Sequence, residues 1–226
     1  MANASGEKVG ALGRPLPGSA EVALVRYDFD TEEFVRGEHG LLVRCDAGEP
    51  GVLLARLDAD HPLASFTGGD EAGRRLLQGV FEADDIWFVT WDVLRRDADG
   101  DFWFVDRKSQ MLRTKAGVVA TRTIEDALYG FPDLRHTVVY GVEREGGDRA
   151  VAVVVTEGNQ GLNLQAWNEF TAGLDPSERP GWVKRVERIP MTDGFRPDKA
   201  ALEMDPLDAG AELFVYDDET RLYRTA

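Results

Sequence analysis

Two strongly apolar runs, Ile86 to Leu94 and Asp101 to Arg107, flank the tetrapeptide Asp97-Ala98-Asp99-Gly100. Asp-Gly between β-prone runs is a strong short-range hairpin signal, because the glycine takes a positive φ that most side chains resist. An antiparallel hairpin at this place limits what its neighbours can form. Upstream, the alternating EVALVRY (Glu21 to Tyr27), Leu41 to Arg44 and GVLLARL (Gly51 to Leu57) read as further strands between acidic or glycine-rich turns. A small antiparallel sheet or barrel is therefore expected. Glu71 to Phe81 sets Leu76, Leu77, Val80 and Phe81 at helical spacing behind Thr67-Gly68-Gly69-Asp70, with Asp70 as cap, so a short helix is expected there. The Gly- and Pro-rich opening through Pro17-Gly18 reads as an extended connector.

Beyond Arg107 the periodicity becomes mixed. A helix is expected near Thr123 to Tyr129, strands at Thr137 to Val142 and Arg149 to Thr156, and a helix over Leu164 to Leu174 with Leu164, Trp167, Phe170 and Leu174 on one face. A strand Val183 to Ile189, a helix begun by Pro197-Asp198, and a closing hairpin of Leu213 to Tyr216 with Arg221 to Tyr223 complete the pattern. The fold class is α+β: a β-rich subdomain over 1–107 and a mixed α+β domain over 108–226, with the boundary near Asp106 to Gln110.

Composition narrows the functions open to such a chain. Its 226 residues are 43% hydrophobic, enough for a real core. Acidic side chains number 41 against 26 basic ones, for a net charge of −15. That field repels phosphate backbones and anionic lipid, so nucleic acid is not an expected partner. The single cysteine, Cys45, forms no internal disulfide, and His39, His61 and His136 lie too far apart in sequence for metal-ligand spacing, so no metal site is expected. With no signal-like start and no long apolar run, a cytoplasmic protein without a membrane segment is expected.

Asp92 stands in the middle of the apolar strand DIWFVTWDVL, where a carboxylate needs a donor if buried. It serves either as a structural carboxylate, bonded to the backbone or to Arg107 across the hairpin, or as a ligand contact. Here VTWDVLRRDADGDFWFVDR resembles the segment of AMP-forming, adenylate-forming enzymes usually written Thr or Ser, Gly, Asp, hairpin, Gly-Arg or Asp-Arg. KVGALGRPLPG, the stretch VALVRYDFDTEEFVRGEHGLLVRCDAGEPGVLLARL, LLQGVFEADDIWFVTWD, LRTKAGVVATRTIEDAL and the ending DPLDAGAELFVYDDETRLYRTA also resemble that superfamily in order. The third, fourth and fifth of these point to its fatty-acid-transport-protein, or very-long-chain acyl-CoA synthetase, subgroup.

The resemblance implies the C-terminal part of a fatty-acid-CoA ligase that uses ATP, CoA and magnesium and passes through an acyl-adenylate. It implies that Asp92 and Arg107, with Thr90 and Trp91 beside them, hold the ribose of a nucleotide or fatty acyl-adenylate. It also places the family's domain hinge at Ser109 and its catalytic lysine at Arg196. Arg113 and Lys115 match basic residues of the subgroup and are either surface charges or contacts to nucleotide or CoA phosphates.

The sequence departs from the family in telling places. The lysine-bearing phosphate loop and the glutamate motif associated with magnesium precede the family segments matched here, and Thr67-Gly68-Gly69-Asp70 has no lysine to replace them. Arg196, in MTDGFRPDK, keeps a cation but exchanges a point charge for a planar fork, and Lys199 reads as the start of a solvated helix face. Trp91 and Ala116 replace family glycines; Trp91 would stack on adenine or block it. The chain alone is thus expected to be inactive: a fragment, half of a split enzyme completed by a separate chain and membrane-associated in its full form, or a degenerate non-catalytic module.

Overall fold

The hairpin is the spine of the first of two units, Met1–Ser109 and Gln110–Ala226. The computed structural model describes residues 1–3, 8–63, 75–204 and 212–226. The first unit carries β1 (Ala11–Gly13), β2 (Val22–Val25), β3 (Tyr27–Asp28), β4 (Glu33–Phe34), β5 (Pro50–Leu57), β6 (Leu76–Gln78), β7 (Ile86–Arg96) and β8 (Phe102–Arg107). Its main sheet runs β1-β8-β7-β5-β2, antiparallel throughout, with β6 also on β7. Among the described residues the sheet keeps two ends rather than closing into a barrel.

Alternation along these strands sends side chains to opposite faces. Val25, Val52, Leu54, Trp87 and Val89 pack on one side, and Leu24, Leu94, Phe102 and Cys45 form a second cluster. Burial pushes the Cys45 thiol up to about 12, so it is an inert core group. The turn after β6 is held by Asp85, whose carboxylate accepts from the main-chain N–H of Val80 (2.6 Å), Phe81 (2.9 Å) and Glu82 (3.1 Å) and from Trp87 Nε1 (2.8 Å). Burial opposes the charge, yet these donors outweigh it and hold the Asp85 carboxyl below its ordinary range.

Three expectations are corrected here. Leu76–Gln78 is a strand rather than part of a helix, because pairing with Ile86–Phe88 of β7 overrides the local helical spacing. The supposed cap Asp70 and the Thr67-Gly68-Gly69 loop lie outside the described residues. Leu41–Arg44 contributes only isolated bridges, Leu42 to Arg36 and Arg44 to Val25. The opening segment is no free connector: β1 pairs with β8, and the Lys8 ammonium lies 2.6, 2.8 and 2.9 Å from Asp97, Asp99 and Asp101 in the hairpin turn.

The second unit runs β9 (Met111–Thr114), β10 (Gly117–Ala120), α1 (Thr121–Leu128), β11 (Leu134–Arg144), β12 (Gly147–Thr156), α2 (Leu164–Ala172), β13 (Trp182–Arg185), α3 (Lys199–Met204), β14 (Glu212–Asp217) and β15 (Leu222–Thr225). Its sheet is ordered β11-β12-β13-β14-β15, with β12 and β13 parallel and joined through α2. Gly146 and Gly147, at φ 87° and 123°, make the tight β11–β12 turn. Ile124 and Leu128 of α1 and Trp167 of α2 pack with Val139, Ala152 and Val154, while Leu202 of α3 packs with Val138, Tyr140, Val151 and Val153. Helices thus cover both faces of a strand pair, as its near-continuous apolar runs require. Trp167 is fully buried, and its truncation to alanine would cost about 3–5 kcal/mol. Asn163 caps α2 and Asp198 caps α3 through side-chain oxygens accepting at 3.1 Å.

Candidate functional site

Both β6 and β8 pair with β7 on the edge opposite β5, since Phe88 faces Ala55 and Leu76 while Val93 faces Val52 and Asp106. A cavity of 430 Å³ opens beside β7 between them, lined by Arg75, Thr90, Trp91, Asp92, Arg107, Lys108 and Ser109.

β7 is distorted beside this cavity. Against β5, Leu54 faces Val89 and Val52 faces Val93, so Thr90, Trp91 and Asp92 oppose Leu53 alone. Trp91 has φ 61°, in the left-handed region. A tryptophan there costs about 1–2 kcal/mol relative to ordinary backbone. Thr90 holds the distortion: its Oγ1 donates to the Leu53 carbonyl at 2.9 Å and accepts from the Asp92 N–H at 3.1 Å. Its hydroxyl is therefore engaged within the chain, beside the cavity it lines.

Asp92 faces Arg107 directly across β7 and β8. The Arg107 Nε lies 3.8 Å from the Asp92 carboxylate, with 69% and 38% of the two side chains exposed. At that separation and exposure the pair adds little to stability. What it offers is an accepting carboxylate beside a donating fork, both facing solvent, which suits a vicinal diol.

Trp91 completes the wall. Its indole lies nearly parallel to Phe34, centroids 5.8 Å apart at 20°, and edge-on to Tyr27 at 5.9 Å. The Lys108 ammonium stands 5.9 Å from the indole centre and 2.8 Å from Glu32. Partial burial opposes its charge, but the Glu32 carboxylate raises the Lys108 pKa above its ordinary value. Sequence reasoning passed over Arg75 and Lys108; Lys108 was signalled by its position between two candidate residues, whereas nothing local marked Arg75.

The remaining candidates lie in the second unit. The Arg113 N–H donates to Asp148 Oδ2 at 2.8 Å, and its Nε lies 3.9 Å from that carboxylate. Lys115, on the β9–β10 turn, lines a separate 470 Å³ cavity with Arg149, Arg221 and Tyr216. Arg196 sits in a tight loop closed by the Met191–Pro197 bridge, with Thr192 Oγ1 bonded to its backbone N–H at 3.3 Å and carbonyl at 3.2 Å. Arg196 is exposed, beside a Phe195 that is 88% exposed in the left-handed region. Lys199 is not a solvated helix face. Its ammonium is 3.0 Å from Glu125 and 2.9 Å from Thr121 Oγ1, tying α3 to α1.

No family model matches the chain. It is 30% identical over 208 residues to the mouse protein named long-chain fatty acid transport protein 3, covering 89% of this chain and 31% of that one. To the medium/long-chain-fatty-acid–CoA ligase FadD6 of Mycobacterium tuberculosis it is 31% identical over 205 residues, covering 89% of this chain and 34% of the ligase. The chain thus spans about a third of the length of these relatives. Its fold matches that of o-succinylbenzoate coenzyme A synthetase from Bacillus subtilis, solved with AMP, at TM-score 0.65 and 19% identity, over 87% of this chain and 36% of that one.

Proposed function

Since the chain belongs to the family of AMP-forming acyl-CoA ligases of the fatty-acid-transport type, matching its C-terminal part, we propose that it is the C-terminal portion of an ATP-dependent ligase for long-chain or very-long-chain fatty acids. In the complete reaction the fatty carboxylate attacks the α-phosphorus of ATP, releasing pyrophosphate and leaving an acyl-adenylate. The thiol of CoA then attacks the acyl carbon, AMP departs and a thioester forms. In this reading Asp92 accepts from both ribose hydroxyls and Arg107 donates beside it. The observation that carries it is the direct Asp92–Arg107 pairing, exposed into one cavity lined by Arg75 and Lys108.

Residues 1–107 then close the family's large domain and 108–226 form its mobile domain, pivoting at Ser109 within the turn Lys108–Gln110. Arg196 carries the cation that bridges the substrate carboxylate and α-phosphate, on a loop already shaped by Thr192. Lys199 is too firmly paired to take that part. Arg113 and Lys115 contact nucleotide or CoA phosphates. Among the described residues no group of three or more His, Cys, Asp or Glu is placed to hold a metal ion, and no step is routed through the magnesium that the family reaction implies. No helix among the described residues is long and apolar enough to cross a membrane.

These 226 residues contain no lysine-bearing phosphate loop, so by themselves they bind nucleotide but form no adenylate, and the loop has to be supplied from outside them. A second reading, a non-catalytic binding module, draws on the indole at Trp91 together with Ala116 and Arg196. Placing those three residues in an active full-length relative separates the two, because a relative that stays fully active removes the case for degeneration. The primary test is calorimetric titration with a non-hydrolysable acyl-adenylate analogue. Binding by the natural chain and its loss in Asp92→Ala is the expected result; equal binding by both would sink the ribose assignment.

A further inference from the structure

The ribose pair has a neighbour whose chemistry differs from everything else around it. Of the described residues lining the 430 Å³ cavity, Arg75, Thr90, Asp92, Arg107, Lys108 and Ser109 are polar or charged, and Trp91 alone is aromatic. It directly precedes Asp92, so any ligand whose diol meets that carboxylate lies within reach of the indole. Its backbone occupies a left-handed conformation, φ 61°, that glycine would take without strain. A bulky residue persists at such a place only when its surroundings over-determine it, and such outliers cluster at functional sites. The surroundings here do so. Thr90 fixes the main chain on both sides of the outlier, and Phe34 and Tyr27 brace the ring.

Building on the ribose assignment, we infer that Trp91 is the base-recognition residue of this site: its braced indole forms a platform for the planar base of the nucleotide whose ribose Asp92 holds. A π-face accepts a flat heterocycle by stacking, and a ring already immobilised by two aromatic neighbours loses little freedom when the base arrives. Arg75, Arg107 and Lys108 supply positive charge around the same cavity for the phosphate. Trp91 thus governs which nucleoside is taken, and Asp92 governs that a ribose is taken at all.

The test titrates the full 226-residue chain with AMP and with ribose 5-phosphate, comparing the natural protein with Trp91→Gly, Trp91→Phe and Asp92→Ala. Circular dichroism checks that each variant is folded, and Trp91→Phe keeps a π-face should the glycine variant prove unstable. Trp91→Gly is expected to weaken AMP roughly tenfold or more, the usual worth of one stacked base. It should leave ribose 5-phosphate unchanged, and Trp91→Phe should retain most of the AMP affinity. AMP binding that survives Trp91→Gly undiminished, or improves, overturns the platform and makes the indole a plug. Ribose 5-phosphate binding that ignores Asp92→Ala overturns the ribose assignment instead, whatever Trp91 does. Failure of the natural chain to bind AMP overturns both.

Discussion

One hairpin ends in two charge clusters, and their geometries are opposite. At its turn, Asp97, Asp99 and Asp101 close on the Lys8 ammonium at 2.6–2.9 Å, Arg14 adds a contact to Asp101 at 3.2 Å, and Trp103 Nε1 donates to Asp97 at 3.0 Å. At its other end Asp92 and Arg107 stand 3.8 Å apart and face solvent. The first cluster has its hydrogen-bonding capacity largely met from within the chain, while the second keeps capacity to spare. A carboxylate already saturated by its own fold has little left for a ligand, so function is better sought where pairing is loose.

The comparison is open to direct attack. The largest effect is expected from Asp92→Ala, which should weaken acyl-adenylate binding by about a hundredfold, the loss of two hydrogen bonds to a charged group. Its thermal midpoint should not move, and a clear fall in melting temperature would show that the open pair is structural after all. Thr90→Val comes next, with binding about tenfold weaker, one such bond made worse by misplacement, and Thr90→Ser should restore it. Because Thr90 acts through Asp92, calorimetry should find no further loss when Thr90→Val is added to Asp92→Ala.

At the closed end the order reverses. Lys8→Met should lower the thermal midpoint measured by calorimetry while leaving nucleotide affinity untouched. The Lys8 ammonium holds the Asp97 carboxyl below its ordinary value, and Asp97 in turn raises Lys8 above its own. A depressed carboxyl stabilises above its unfolded pKa of about 3.9, and that contribution fades as pH falls; a raised lysine stabilises below its unfolded pKa of about 10.4 and fades as pH rises. The clamp is thus fully formed from about pH 4 to 10, and Lys8→Met should flatten the acid limb of a melting-versus-pH curve.

The smallest effect belongs to His61, whose ring nitrogens lie 2.9 Å from the Gly18 carbonyl and 3.0 Å from Asp58. Both partners are acceptors, so the imidazolium fits best, and the Gly18 carbonyl and then Asp58 raise its pKa. The tie is complete below about pH 6.5 and is lost as pH rises through the raised value. Hydrogen exchange around Gly18 should quicken on going from pH 6 to 8, after correction for intrinsic rates, in the natural chain but not in His61→Gln.

The hairpin was legible because its information is local: two apolar runs and an Asp-Gly turn. The strands Leu134–Arg144 and Gly147–Thr156 were legible for the same reason, although both run longer than expected. The segment Leu76–Gln78 was misread because its spacing satisfies a helix, while its strand state depends on β7, a partner that lies later in the chain. Asp92 and Arg107 could be singled out, one as a charge inside an apolar run and the other as its partner across the hairpin. The cavity they line could not, since it is walled by separate stretches of the chain, Arg75, Thr90 to Asp92 and Arg107 to Ser109. Nor does any pattern announce a left-handed tryptophan, a state that the bulge opposite Leu53 imposes.

Tyr223 brings a matter of timing. Its main chain is gripped by Asn168 through two bonds, at 3.2 and 2.6 Å, across 55 positions of sequence, and its hydroxyl donates to the Pro180 carbonyl at 2.7 Å. Its ring packs on Trp167, 6.0 Å between centroids, inside the second core. A ribosome making this protein must therefore translate past β15 before that core can close, whereas the sheet of the first unit is complete once β8 has emerged. The cavity lined by Thr90, Asp92 and Arg107 can thus form while the second unit is still an unfinished nascent chain.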